Sequence, residues 1–203
     1  MKLYDGPFPG TRGSRLRWML EEVGAPYEAA TINFSKGEHK SPEYLAIHPH
    51  GVVPGFELDG QHLIESAAIC LQLADLYPER GLAPAVGSPE RARYYQWAVY
   101  APATLDDALV GRIFNAVFLP PERRDPAKVA VGDRVWSAAA PYLSGAIGDG
   151  AWLLGERFSA ADVVIGYDVR MANAMGMLAD YPVLQGYLAR LAARPAFQRV
   201  FGG

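Results

Sequence analysis

The amino-acid sequence predicts two domains of different class, an α/β domain followed by an all-α domain. Three observations predict this. The first 77 residues read as β-α-β and then β-β-α. Residues 78–89 carry three prolines and two glycines, the composition of a linker. Beyond residue 89 only helical spacing of apolar residues is found.

The elements follow in order. Residues 2–4 form a short apolar-leaning strand that runs into the loop Asp5-Gly6-Pro7-Phe8-Pro9-Gly10. From Arg12, the residues Leu16, Met19, Leu20 and Val23 recur at helical spacing, and Gly24 and Pro26 stop that helix. Residues 27–34 alternate as a second strand, so the opening is a β-α-β crossover with parallel strands. Residues 36–50 read as a polar loop or broken helix. Asp59-Gly60 between two apolar runs predicts a hairpin, and an apolar helix follows from Glu65-Ser66 to a stop before Pro78. The first domain is thus 1–77, with a mixed four-stranded sheet, and the linker is 78–89. The helical domain is 90–203, with helices expected at 90–116, 127–146, 160–178, 183–193 and 196–201.

Composition narrows the function classes. Half of the 203 residues are hydrophobic, enough for a core in each domain, and the net charge is −3. Lys and Arg are scattered, so no nucleic-acid footprint and no anionic-membrane patch is expected. A single cysteine, Cys70, cannot form a disulfide within the chain. Four scattered histidines and one cysteine offer no zinc spacing, so no metal is expected. The N-terminus lacks an apolar run of signal-peptide length, and no stretch of about 18 apolar residues exists. The expected location is the cytoplasm.

Two short segments carry binding chemistry. In Gly51-Val52-Val53-Pro54, a proline ahead of an apolar strand removes a ladder donor and suits a tight turn at a sheet edge. Glu65-Ser66 sits where a hairpin strand turns into a helix. A helix N-terminus binds carboxylates, a serine hydroxyl adds a donor, and a glutamate accepts from an ammonium group. The plainer readings are an ordinary strand-initiating proline and a serine N-cap with a solvated glutamate. Further on, Ser159-x-x-Asp162 before Val163-Val164-Ile165 is a capping box, with Phe158 and Val163 as its hydrophobic staple. That motif is structural, and Asp162→Ala is expected to cost about 0.5–2 kcal/mol, the usual range for a cap.

Together these segments resemble cytosolic glutathione transferases. The resemblance is carried by Gly51–Pro54, Asp59-Gly60, Glu65-Ser66-Ala67-Ala68-Ile69, His39-Lys40-Ser41-Pro42-Glu43-Tyr44-Leu45 and Phe158-Ser159-Ala160-Ala161-Asp162. The second of the longer strings looks like plant phi-class and related bacterial members. The resemblance implies a thioredoxin-like N-terminal domain and a helical-bundle C-terminal domain. It implies a cis Val53–Pro54 bond that presents the Val53 backbone to glutathione, as extended peptides pair with a sheet edge. Val52, Val53 and Pro54 would line that turn. Glu65 and Ser66 would hold the γ-glutamyl ammonium and carboxylate, and His39 and Lys40 the glycyl carboxylate. No cofactor is implied beyond glutathione as co-substrate. The implied partners are a small hydrophobic electrophile and a second copy of the chain in a homodimer. The role would be detoxification by conjugation.

Conjugation needs a thiolate. A free thiol has a pKa near 8.5, and lowering it by two units takes about 2.7 kcal/mol. One hydroxyl hydrogen bond contributes about 1.5–3 kcal/mol and a helix N-terminus about 0.3–1 kcal/mol. The site therefore needs one donor beside the start of the first helix. Family members use serine, tyrosine or cysteine there, and residues 9–14 depart from all clear versions. Thr11 is the nearest hydroxyl and the first candidate. Arg12 is the second, because a guanidinium favours a thiolate, and Ser14 the third. Tyr4 and Tyr100 rank below them as packing residues, and Cys70 reads as a small buried hydrophobe. Tyr95, Tyr100, Phe114 and Phe118 either line the electrophile pocket or serve as core or dimer contacts. Glutathione-dependent isomerisation, peroxide reduction and an inactive glutathione-binding scaffold remain alternatives.

Overall fold

A computed structural model of the chain describes residues 1–8 and 10–202, so Pro9 and Gly203 lie outside the described residues. The chain forms two compact units. One comprises residues 1–83 with the C-terminal segment from Ala192, and the other is 84–191.

The first unit begins with β1 (Lys2–Asp5), α1 (Arg12–Val23) and β2 (Glu28–Thr31). Two 3₁₀ turns, Phe34–Lys36 and Glu38–Lys40, lead to α2 (Pro42–Ile47). Then come β3 (Gly55–Leu58), β4 (Gln61–Leu63) and α3 (Ser66–Leu76). The strands lie in the order β2-β1-β3-β4. β1 runs parallel to β2 and antiparallel to β3, and β3 antiparallel to β4. Leu3 pairs with Ala29 on one side and Phe56 on the other, which puts two fully buried apolar residues at the sheet centre. α1 buries Leu16, Met19, Leu20 and Val23, the residues whose spacing announced it, and α3 adds Ile69, Cys70 and Leu73. Gly24 ends α1 in the left-handed region at φ 69°, where only glycine is at ease.

Three sequence expectations change here. The second strand stops at Thr31, because Asn33 caps a 3₁₀ turn by accepting from Ser35 N and Lys36 N. Pro54 does not mark a sheet edge. β3 is an interior strand, and the proline is accommodated because it precedes the first ladder residue. The third change is at the C-terminus, which the sequence assigned to the helical domain. The helix α9 (Pro195–Phe201) instead belongs with α1. Phe197 stands edge-on to Trp18 at 5.0 Å, and Arg194 makes two 2.7 Å bonds to the Glu22 carboxylate.

The second unit holds α4 (Pro89–Tyr100), α5 (Asp106–Ile113), α6 (Pro126–Ile147), α7 (Ala160–Ala174) and α8 (Pro182–Ala192). The single helix expected at 90–116 is divided. A π-helical turn, Ala101–Leu105, separates α4 from α5, and a second, Phe114–Phe118, follows α5. Pro102 lies in the first of these, where its missing N–H breaks the regular ladder. α7 is buried along nearly its whole length, with Val163, Val164, Ile165 and Val169 inaccessible. Among the described residues no helix is long and apolar enough to cross a membrane.

Candidate active site in the first unit

The site residues named from sequence lie in one unit, on four segments. The first is the start of α3. Glu65 is its N-cap, exposed, with φ 70° and ψ 91°, a conformation that non-glycine residues rarely adopt. The turn it makes places Ser66 as the first helical residue, 5% exposed. Ser66 Oγ accepts a 3.2 Å bond from Arg15 Nη1 of α1. That contact uses a lone pair and leaves the serine proton available to a ligand oxygen.

The second segment is the turn before β3. The Val53–Pro54 bond is cis. Val52 is 48% exposed, and its carbonyl accepts a 2.7 Å bond from the buried Tyr44 hydroxyl of α2. Burial, opposed by a backbone hydrogen bond and helped by the charge of Asp5, pushes that hydroxyl up to about 12. The third segment, His39-Lys40, is drawn against this turn by Gly51, which has φ 59°. A Cβ there would stand 2.4 Å from the His39 carbonyl oxygen and 2.9 Å from Lys40 Nζ. Lys40 Nζ donates to His50 O at 3.0 Å. His39 is half-buried, its ring edge-on to Phe34 at 5.3 Å, and its Nδ1 has no hydrogen-bond partner among the described residues. The structure therefore brings His39, Lys40, Val52, Val53 and Pro54 together through one glycine.

The fourth segment is the start of α1. Thr11 is the N-cap, yet its side chain does not cap the helix. Its hydroxyl donates to Asp5 Oδ1 at 2.5 Å. Arg12 is the first residue of α1 and half-buried. Ser14 is buried, and its Oγ accepts from Gly10 N at 3.0 Å, which turns it inward rather than toward a ligand. Tyr4 packs against Tyr44 at 6.1 Å, and Tyr100 lies in the second unit beside Trp97 and Tyr142. Cys70 is fully buried, and its thiol is pushed up to about 12 by that burial, with Arg15 pulling the other way. It is chemically inert packing.

Two residues of the site were missed from sequence. Arg15 is completely buried on the face of α1 that also carries Met19, and a charged residue inside that apolar stripe was the available signal. Asp5 is 3% exposed and ends β1 beneath the start of α1. Nothing in its neighbours marks it.

Comparison with known proteins places the chain. Residues 1–75 match the family model of the glutathione S-transferase N-terminal domain. Glutathione S-transferase GstB of Escherichia coli (strain K12) is 31% identical over 89% of this chain and 88% of its own length. A maleylacetoacetate isomerase of Pseudomonas aeruginosa is 30% identical over 98% and 94% of the two chains. A sphingomonad glutathione S-transferase solved with glutathione superposes with a TM-score of 0.84 at 27% identity, covering 100% of this chain and 98% of that one. A thioredoxin-like sheet unit followed by a helical unit is the fold they share. The chain belongs to the glutathione S-transferase family.

Proposed function

We propose that the protein binds glutathione in its first unit and conjugates the glutathione thiolate to small hydrophobic electrophiles. The observation that carries this reading is the start of α3, where a residue at positive φ delivers Ser66, backed by a buried arginine, to a helix N-terminus. Ser66 and the α3 N-terminus would take the γ-glutamyl carboxylate, and Glu65 the ammonium. Lys40 and His39 would take the glycyl carboxylate, and the backbone at Val52, Val53 and Pro54 would pair with the cysteinyl peptide. The thiolate would lie at the start of α1, near Thr11 and Arg12 and the positive end of the helix dipole. Glutathione serves as co-substrate, and the chain acts as a two-fold homodimer, the commonest oligomer symmetry.

Titration calorimetry and turnover of an activated aryl halide test this reading. Ser66→Ala should weaken glutathione binding about tenfold, the loss of one charge-assisted hydrogen bond. No binding of glutathione by the wild-type chain would overturn the site. The isomerase relative, similar over nearly the whole chain, favours one second reading: glutathione-dependent cis–trans isomerisation on the same site. Turnover of a cis-enoyl diketo acid without conjugation of the aryl halide would select it.

A further inference from the structure

Asp5 is a buried carboxylate that the reading above does not use. It accepts three donors. Gly6 N at 2.7 Å and the Thr11 hydroxyl at 2.5 Å share Oδ1, and Arg17 Nη2 reaches Oδ2 at 3.4 Å. The carboxylate is held by close fit as well. A Cβ on Gly13, in the first turn of α1, would stand 1.8 Å from Oδ1. A hydroxyl owns one proton. With that proton on Asp5, Thr11 offers an approaching sulfur only lone pairs. In that state it accepts from a thiol S–H, and it can donate to a thiolate only by giving up its bond to Asp5.

We propose that Asp5 is a positioning residue that sets the acidity of the thiol bound at α1, by holding Thr11 as a hydrogen-bond acceptor and keeping the sulfur protonated to higher pH. The proposal rests on the glutathione reading of the site. Its physics is a competition between two anions for one donor. The carboxylate is in place before the ligand arrives, with a short charge-assisted bond already made. A thiolate must take the Thr11 proton from it, and must also sit beside a like charge. When the thiol ionises, its proton leaves to solvent and the Thr11 O–H turns from Asp5 to sulfur. Among the described residues, Asp5 also meets Arg17 of α1, about one-third exposed, and Tyr44 of α2, which stays neutral. Arg12, the first residue of α1, is half-buried.

The test reads the ultraviolet absorbance of the thiolate against pH in glutathione complexes of the wild type, Asp5→Asn, Thr11→Val and the double variant. Asparagine keeps an oxygen for Gly6 N but removes the charge. Asp5→Asn should lower the midpoint by about one unit or more. Thr11→Val should raise it by about one unit in the Asp5→Asn background and by much less in the wild type, a coupling that a merely structural role would not produce. An unchanged or raised midpoint in Asp5→Asn overturns the proposal. So does a full one-unit rise from Thr11→Val alone, since Thr11 would then already be donating to sulfur. If Asp5→Asn does not fold, Thr11→Val in the wild type decides by itself. Calorimetry separates the two levels: a wild type that does not bind glutathione sinks the site, whereas binding with the wrong titration sinks only the role of Asp5.

Discussion

Asp5 and Asp162 are both buried carboxylates at the start of a helix, one in each unit, and the chain uses them differently. Asp162 is the third residue of its own helix. It accepts from Ser159 N and Leu153 N at 2.9 Å, Ser159 Oγ at 3.0 Å and Tyr187 Oη at 3.1 Å. All four donors are fixed protein groups, and none is left for a ligand. Asp5 comes from the end of a strand and crosses a loop to reach a helix that starts at Arg12. Its donors include the Thr11 hydroxyl, which is proposed to meet the bound sulfur. A carboxylate saturated by fixed donors at the start of its own helix builds structure. One brought in from elsewhere in the chain, against a half-exposed hydroxyl, is placed to influence chemistry.

The comparison breaks most visibly at Asp162. Its burial raises the cost beyond that of an ordinary cap, because removal strands four buried donors. Asp162→Ala should lower stability by about 3–5 kcal/mol in denaturant titrations. A loss below about 1 kcal/mol would mean that the capping box is a surface ornament, contrary to its burial. The second consequence is in pH. Burial pushes the Asp162 carboxyl up to about 6, with the backbone and side-chain donors pulling it down. Its unfolded value is near 3.9. A raised folded value means that the folded state holds the proton more tightly. The stabilisation from protonating this group is fully present below about pH 4 and is lost as pH rises through about 6. The increment is about 2–3 kcal/mol across that window. Asp162→Asn should remove it, flattening the pH dependence of stability between those limits. The smallest effect sharpens the role of Asp5. Gly13→Ala, by forcing the Asp5 carboxylate off the helix, should cost about 1–2 kcal/mol, net of alanine's better helix propensity. Its thermal melt should show that loss, and a neutral or stabilised variant would mean that the carboxylate moves aside freely.

The same contrast explains what was legible in the sequence. Asp162 was legible because a capping box is a local spacing, and local spacings survive in one dimension. So were α1, from apolar periodicity and a terminating glycine, α3, from apolar periodicity and the proline that follows it, and the hairpin, from Asp59-Gly60. The place of α9 was not, since Trp18 meets Phe197 across most of the chain. Neither was the break between α4 and α5, where apolar spacing continues while the backbone ladder does not. In the candidate site, Ser66 and Lys40 were readable from short strings. Arg15 hid inside an apolar stripe, and Asp5 acquires its meaning only when β1 and α1 are set side by side.

Glu65 has a consequence for any attempt to harden this protein. At φ 70°, a glutamate is held where glycine would rest without penalty, a cost of about 1 kcal/mol. A campaign that ranked variants by heat resistance alone would therefore enrich glycine at position 65, and with it discard the carboxylate proposed to meet the ligand's ammonium. The folding optimum and the ligand-holding optimum part at that residue.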